Sequence, residues 1–478
     1  MTRFSILVAA LLLVAGPASA QHIGTDGLAP PDSTDEPVLV DEENDDPEAD
    51  ARAEAAAEGT AAESGATAAP QEDDGPSLSV NVSGSLRFNA LFRSYGGEQA
   101  DKTLGDGGFT FDTFRIGANG SYGGLIFDSE LAVYPESFGG VFLQKGWVGY
   151  EFNENRQFQV GVSQVPFGIQ PYASSSWFFN STYYVGLEDD YDAGVKAIFT
   201  PGNWDIQGAY YMNAEQTDFF GGSNFGRYSY DVVPVTSFPA FGDAGDANDV
   251  TGVSGYTVVP GGNSNRSPIA EANQFNIKVA YSFDHGDLGF TKIGVSGQRG
   301  QLENLSTGST DWHAAYAVHL QGRYGGFGTK LEFAQQELNP PLTDSEKQAF
   351  ASQSGVNYAA DDFVVMGAYN FPQRVASEHS VYSSSVSYRI PVDFGPVSQV
   401  KPYYDFSLVT KEIEDWNDNA THNVGFLTTA GPLFVYTDLN VSKGHPFNHP
   451  GANFASVMAE NNDNEWRTAF NVNIGVYF

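Results

Sequence analysis

Four carboxylates, Glu188, Asp189, Asp190 and Asp192, close a segment crowded with aromatic rings, FGIQPYASSSWFFNSTYYVGLEDDYDA (167–193). Acids in such a setting are suited to placing an electric field across a narrow space, provided that bases face them from a rigid support. Other chemistry has less footing. Asp243, Asp246 and Asp249, and likewise Asp415, Asn417 and Asn419, lack the twelve-residue calcium-loop spacing with its closing Glu. His445 and His449 flank prolines with no third ligand in view, and no G-x-S-x-G nucleophile elbow occurs. No metal site, no cofactor and no enzymatic activity are expected.

The support for such a field must be a set of strands. From Ser77, SLSVNVSGSLRFNALFR puts Leu78, Val80, Val82, Leu86, Phe88, Ala90 and Phe92 on one face and Ser79, Asn81, Ser83, Arg87 and Asn89 on the other. That is period two, with a wet face too polar for a soluble core and an oily face too long for an exposed edge. Fifteen similar segments follow, near 110–121, 123–134, 140–152, 156–166, 194–200, 203–213, 273–283, 287–299, 311–324, 326–337, 380–390, 397–410, 421–429, 432–443 and 465–478. Short turns such as YGG (122–124), NENR (153–156) and TAGP (429–432) alternate with long polar connections, the longest over 214–272 and 338–379. The spacing predicts an all-β fold, a 16-stranded antiparallel transmembrane β-barrel over 77–478 with short periplasmic turns and long extracellular loops. DDFVVMGAYNF (361–371) also alternates, but a seventeenth wall strand would reverse the short and long connections, so it is assigned to a loop. Phe152, Phe158, Phe199, Trp204, Phe283, Tyr324, Phe327 and Phe478 fall on the oily face at the short-turn end, as an interfacial girdle would.

Composition fits a membrane destination reached by export. Arg3, an apolar run over 6–14 and Ala18-Ser19-Ala20 read as a signal peptide over 1–20. Residues 21–76 carry seventeen acids against one base, Arg52, and almost no large apolar side chain, which predicts an acidic disordered periplasmic segment. The chain as a whole has a net charge of −36, so nucleic acid is not expected as a partner. There is no Cys, and beyond the leader no apolar run is long enough for a spanning helix.

In strand number, leader and loop alternation the region 77–478 resembles a Gram-negative trimeric porin. KGWVGYEFNENRQFQVGVSQVPFG (145–168) is similar to a stretch of the phosphate-selective porin O and P family, where an aromatic strand, a tight turn and a strand ending in Pro-Phe-Gly follow one another; VKPYYDFSL (400–408) echoes the same family. The resemblance implies an outer-membrane location, a homotrimer and lipid around the barrel. The clustered lysines with which that family binds phosphate have no counterpart here, so the solute is not carried over. The ending NVNIGVYF resembles the C-terminal signal of bacterial outer-membrane proteins, with Phe478, Val476 and Ile474 presented to the barrel-assembly machinery.

Sixteen strands leave room for a water-filled lumen. By parity the inward bases are Arg87, Arg93, Arg115, Lys145, Lys196, Lys278, Arg323, Lys330, Arg389, Lys401 and Arg467, against the inward acids Asp128, Glu130, Glu151, Asp205, Asp311, Glu332, Asp405 and Asp438. The segment 167–193 follows the fifth strand, from which porins fold a loop into the channel. Its acids are expected to face Arg87, Arg115, Lys145 and Lys196 across a constriction. The expected function is a porin, a diffusion channel for small hydrophilic solutes and ions; a phosphate- or anion-selective channel and a structural or adhesive barrel are the alternatives.

Overall fold

The computed structural model describes residues 76–94, 107–215, 227–234, 256–257, 265–354, 358–369, 371–449 and 456–478. The expected leader, all of the acidic segment but Pro76, and Asp243, Asp246 and Asp249 lie outside these residues.

Each of the sixteen alternating segments becomes one wall strand. They are β1 (Ser79–Arg93), β2 (Gly107–Tyr122), β3 (Leu125–Val133), β4 (Val141–Asn153), β5 (Arg156–Gln164), β6 (Tyr191–Phe199), β7 (Trp204–Ala214) and β8 (Ile269–Asp284). The second half comprises β9 (Gly289–Asn304), β10 (Ser309–Tyr324), β11 (Phe327–Glu337), β12 (Glu378–Tyr388, continued after Arg389 by Ile390–Phe394), β13 (Val397–Lys411), β14 (Asn419–Ala430), β15 (Leu433–Lys443) and β16 (Arg467–Tyr477). Every strand is antiparallel to its neighbour in sequence, and β16 pairs with β1, Ile474 opposite Phe88 and Phe470 opposite Phe92, so the wall closes with no free edge. The first tight turn shows why its residues are glycines: Gly123 and Gly124 have φ of 55° and 88°, the left-handed geometry of a two-residue hairpin.

The side chains divide as a membrane wall requires. On β16, Asn471 and Asn473 are buried in the lumen, while Phe470, Val476 and Phe478 point outward and are exposed. Phe152, Phe158, Trp204, Phe283, Tyr324 and Phe327 are outward and exposed at the short-turn end. No described helix is long and apolar enough to cross a membrane; a closed barrel with an apolar outer face crosses with strands, all backbone groups paired within the wall.

Among the departures from simple alternation, two bear on the lumen. Between Arg87 and Phe88 the β1–β2 register slips, which leaves Asp112 without an opposite residue and turns its carboxylate inward onto Arg87, Nε to Oδ2 3.2 Å. The segment 361–371 is not a wall strand, as parity required, yet neither is it irregular. Phe363–Tyr369 pairs with Phe371–Ala376 and with Arg227–Val232 from the earlier long connection, forming a separate three-stranded sheet. Every residue of Phe363–Tyr369 and Arg227–Val232 is buried. Phe363–Tyr369 carries apolar and aromatic residues on both faces, whereas Arg227–Val232 sets Tyr228, Tyr230 and Val232 against Arg227, Ser229 and Asp231. Both strands are buried throughout, which suits a sheet covered on both sides rather than a solvated loop.

Candidate lumenal constriction

The connection from β5 to β6 runs across the inside of the barrel. Its two ends are held together by the Val165 N–H donating to the Asp190 carbonyl, 2.8 Å. In between, distant wall strands capture its backbone. Glu332 on β11 accepts from the Ile169 N–H at 2.6 Å, and Lys330 donates to the carbonyls of Tyr172 and Ser174 at 3.0 and 3.2 Å. Asp405 on β13 accepts from the N–H groups of Ser175, at 3.0 Å to Oδ2, and Ser176, at 2.7 Å. Ser407 accepts from the Ser181 N–H, and Asn423 on β14 donates to the Phe179 carbonyl. A chain segment leaving the wall has no strand partner for its N–H and C=O groups, so lumenal charges and amides take that place. Several wall charges counted toward a solute field therefore serve as backbone anchors.

The four loop acids are all buried. Glu188 accepts from the Thr182 hydroxyl, and burial holds its carboxyl well above the ordinary range despite that bond. Asp189 accepts from the hydroxyls of Tyr172, 3.0 Å, and Tyr228, 2.9 Å. Burial, then the neighbouring charges of Asp192 and Asp231, raises Asp190. Asp192 accepts from the Gln274 amide at 3.0 Å.

The four expected opposing bases are placed differently from one another. Arg115 is 3% exposed and contacts Glu130 at 3.4 Å, Gln144 at 3.2 Å and the hydroxyls of Tyr134 and Tyr228 at 3.2 and 3.1 Å. Tyr228 thus links Arg115 to Asp189 through two hydrogen bonds. Lys145 pairs with Asp128 at 2.5 Å, Arg87 with Asp112, and Lys196 donates to the Gln164 carbonyl at 3.0 Å. The picture of acids facing all four bases directly across water is revised: the acids belong to the packed side of the loop.

The opposite side of the loop bounds a cavity of about 300 Å³. Arg87, Arg93, Asp112 and Arg115 line it from β1 and β2, and Trp177, Phe179, Tyr183 and Tyr184 from the loop, with Tyr228 between them. Cations from the wall and aromatic faces from the loop therefore flank the same space. Parity counting missed Asp112, Lys292 and Tyr228. Asp112 had a visible signal, since the apolar positions of β2 switch from odd (Phe109, Phe111) to even (Phe114, Ile116) around it. Lys292 reaches the inward Asp205 at 3.2 Å and was within reach of the same count. Tyr228 lies in a long connection, and nothing local to it points to the lumen.

No protein-family model matches the chain, and no curated protein matches it in sequence. Solved structures share its shape. The outer-membrane channel DcaP of Acinetobacter baumannii matches with a TM-score of 0.50 at 10% identity, over 86% of this chain and 100% of that one. The anion-selective porin from Comamonas acidovorans matches at 0.47 and 14% identity over 84% and 100%, and OprB of Pseudomonas putida at 0.48 and 7% over 84% and 94%. At such identities the likeness is one of fold: the chain folds as a closed sixteen-stranded barrel of the kind found in outer-membrane channels.

Proposed function

We propose that this protein is a porin of the Gram-negative outer membrane, a channel through which small hydrophilic solutes and ions diffuse. The observation that carries this reading is the β5–β6 connection, tied across the lumen by β11, β13 and β14 and leaving a space flanked by Arg87, Arg93 and Arg115. A structural or adhesive barrel has no need of a loop anchored in this way. Arg87 and Arg115 each sit beside a carboxylate, so the field at the gap is mixed and the ion preference weak, short of the tight anion capture of a phosphate-selective porin. The resemblance at 145–168 favours a homotrimer. The leader and acidic segment are assigned to export and to a periplasmic spacer. Purified protein in a planar bilayer is expected to give stepwise, ohmic conductance; correctly folded barrel that inserts without conductance steps would favour the structural reading.

The ending of the chain serves assembly in this proposal. Phe478 is outward and exposed, and its backbone N–H and C=O pair with Gly84 at the barrel seam, 2.9 and 2.7 Å. Removing Phe478 is expected to leave export intact and to lower the amount of folded, heat-modifiable barrel. A normal yield would make Phe478, Val476 and Ile474 ordinary residues of the outer face.

A further inference from the structure

Apart from the residues that line the arginine-flanked cavity, carboxylates from four parts of the chain converge. Asp190 and Asp192 flank Tyr191, Glu215 follows β7, Asp231 lies on the inner strand Arg227–Val232, and Glu271 is on β8; their charges act on one another. Arg227 is the base that acts on this group, with Nη1 3.1 Å from Asp231 Oδ2. Glu215 and Glu271 have backbone duties, accepting from the N–H groups of Tyr228 and Ser229, and of Val232. The three aspartates are left over. One carboxylate oxygen from each lies within 4.8 Å of the others, and the three residues are 6%, 1% and 1% exposed. Asp192 Oδ2 is used by Gln274 and Asp231 Oδ2 by Arg227, yet Oδ1 of Asp190, Asp192 and Asp231 is buried with no hydrogen-bond donor.

Four buried carboxylate oxygens without donors, Glu215 Oε2 and the three aspartate Oδ1 atoms, amid five acids and one guanidinium, are short of both hydrogen bonds and positive charge. A proton on one acid would supply only part of either. We propose that Asp190, Asp192 and Asp231 form a calcium site. An all-oxygen donor set of carboxylates selects a hard cation, and calcium accepts irregular geometry and completes its shell with water more readily than magnesium, which demands a near-regular octahedron. The ion joins the end of the β5–β6 connection to the inner sheet and, through Gln274, to β8. It is a structural staple on the packed side of the constriction, remote in role from the passing solute.

The test uses the full-length protein in detergent, stripped with EGTA. Calcium added over about 10⁻⁶ to 10⁻³ M, the range spanned by sensor and extracellular sites, is expected to bind one ion per chain and raise the unfolding temperature. Terbium, which takes the same oxygen ligands, is expected to luminesce through the adjacent Tyr191 and Tyr230. Asp192→Asn, which keeps an oxygen to accept from Gln274 and leaves the Arg227–Asp231 pair intact, should abolish both effects, and because it removes repulsion it should leave the metal-free protein no less stable. Should that variant fail to fold, calcium-dependent slowing of amide exchange over 187–192 and 227–232 in the unmodified chain gives the same answer. An unfolding temperature indifferent to calcium and EGTA would overturn the proposal and leave the acids protonated. Calcium or terbium binding unchanged in the variant would overturn it too, by assigning the ion to co-purified lipid.

Discussion

Arg115→Ala is expected to destabilise the barrel by about 3–5 kcal/mol, the usual loss when one partner of a buried ion pair is removed. The guanidinium is 3% exposed, and it serves Glu130, Gln144, Tyr134 and Tyr228 at once. Its removal takes from Glu130, equally buried, the guanidinium 3.4 Å away and breaks the link through Tyr228 to Asp189. A fall in the urea midpoint for unfolding from lipid or detergent reads the effect. Arg115→Met combined with Glu130→Gln removes both charges and should recover most of the loss. Lys145→Ala is the contrast: its partner Asp128 keeps a side-chain exposure of 22%, and the expected cost is below about 1 kcal/mol. Similar losses for Arg115→Ala and Lys145→Ala would mean that burial of the pair is not what matters.

Asp405→Ala is expected to widen the channel. The carboxylate holds the N–H groups of Ser175 and Ser176 and is itself fully buried. Without it two buried donors go unpaired, at about 1–3 kcal/mol each, at the point where the connection touches the wall opposite its origin. The loop should leave that wall, and unit conductance should rise with added current noise. Asp405→Asn retains one acceptor oxygen and should fall between. Neutralising Glu188, Asp189, Asp190 and Asp192 would act in the same direction, by loosening the packed side of the loop, before it alters ion preference. An Asp405→Ala channel with unchanged conductance and a loop still resistant to protease would show that the other anchors, Lys330, Glu332, Ser407 and Asn423, hold the crossing without Asp405.

The wall was legible because a membrane barrel imposes one rule on every strand. Outward residues meet lipid and inward residues meet water or polar neighbours, so Phe470, Val476 and Phe478 sort themselves from Asn471 and Asn473 without knowledge of any partner strand. The rule fails where a bulge shifts the phase, as at Asp112. The interior obeys no such rule. Arg227–Val232 and Phe363–Tyr369 meet because their loops fold inward together, and Asp190, Asp192 and Asp231 become neighbours only through that meeting. A search for ligand spacing along the chain finds no trace of such a set, because its members come from different connections. The loop acids were identified as lumenal by position, but their burial depended on Tyr228 and on anchors such as Lys330, whose partners lie far away in sequence.

Those distances have a consequence for the order of events during assembly. Wall strands joined by tight turns zip locally, whereas Ser175 must find Asp405, 230 residues further on, and Phe179 must find Asn423, 244 residues further on. Contacts of such separation form late. The crossing is therefore laid after much of the wall that it spans, and the inner sheet, drawn from two loops, follows the same schedule. A newly inserted molecule is at its widest before it is complete, and the last contacts made are those that narrow it.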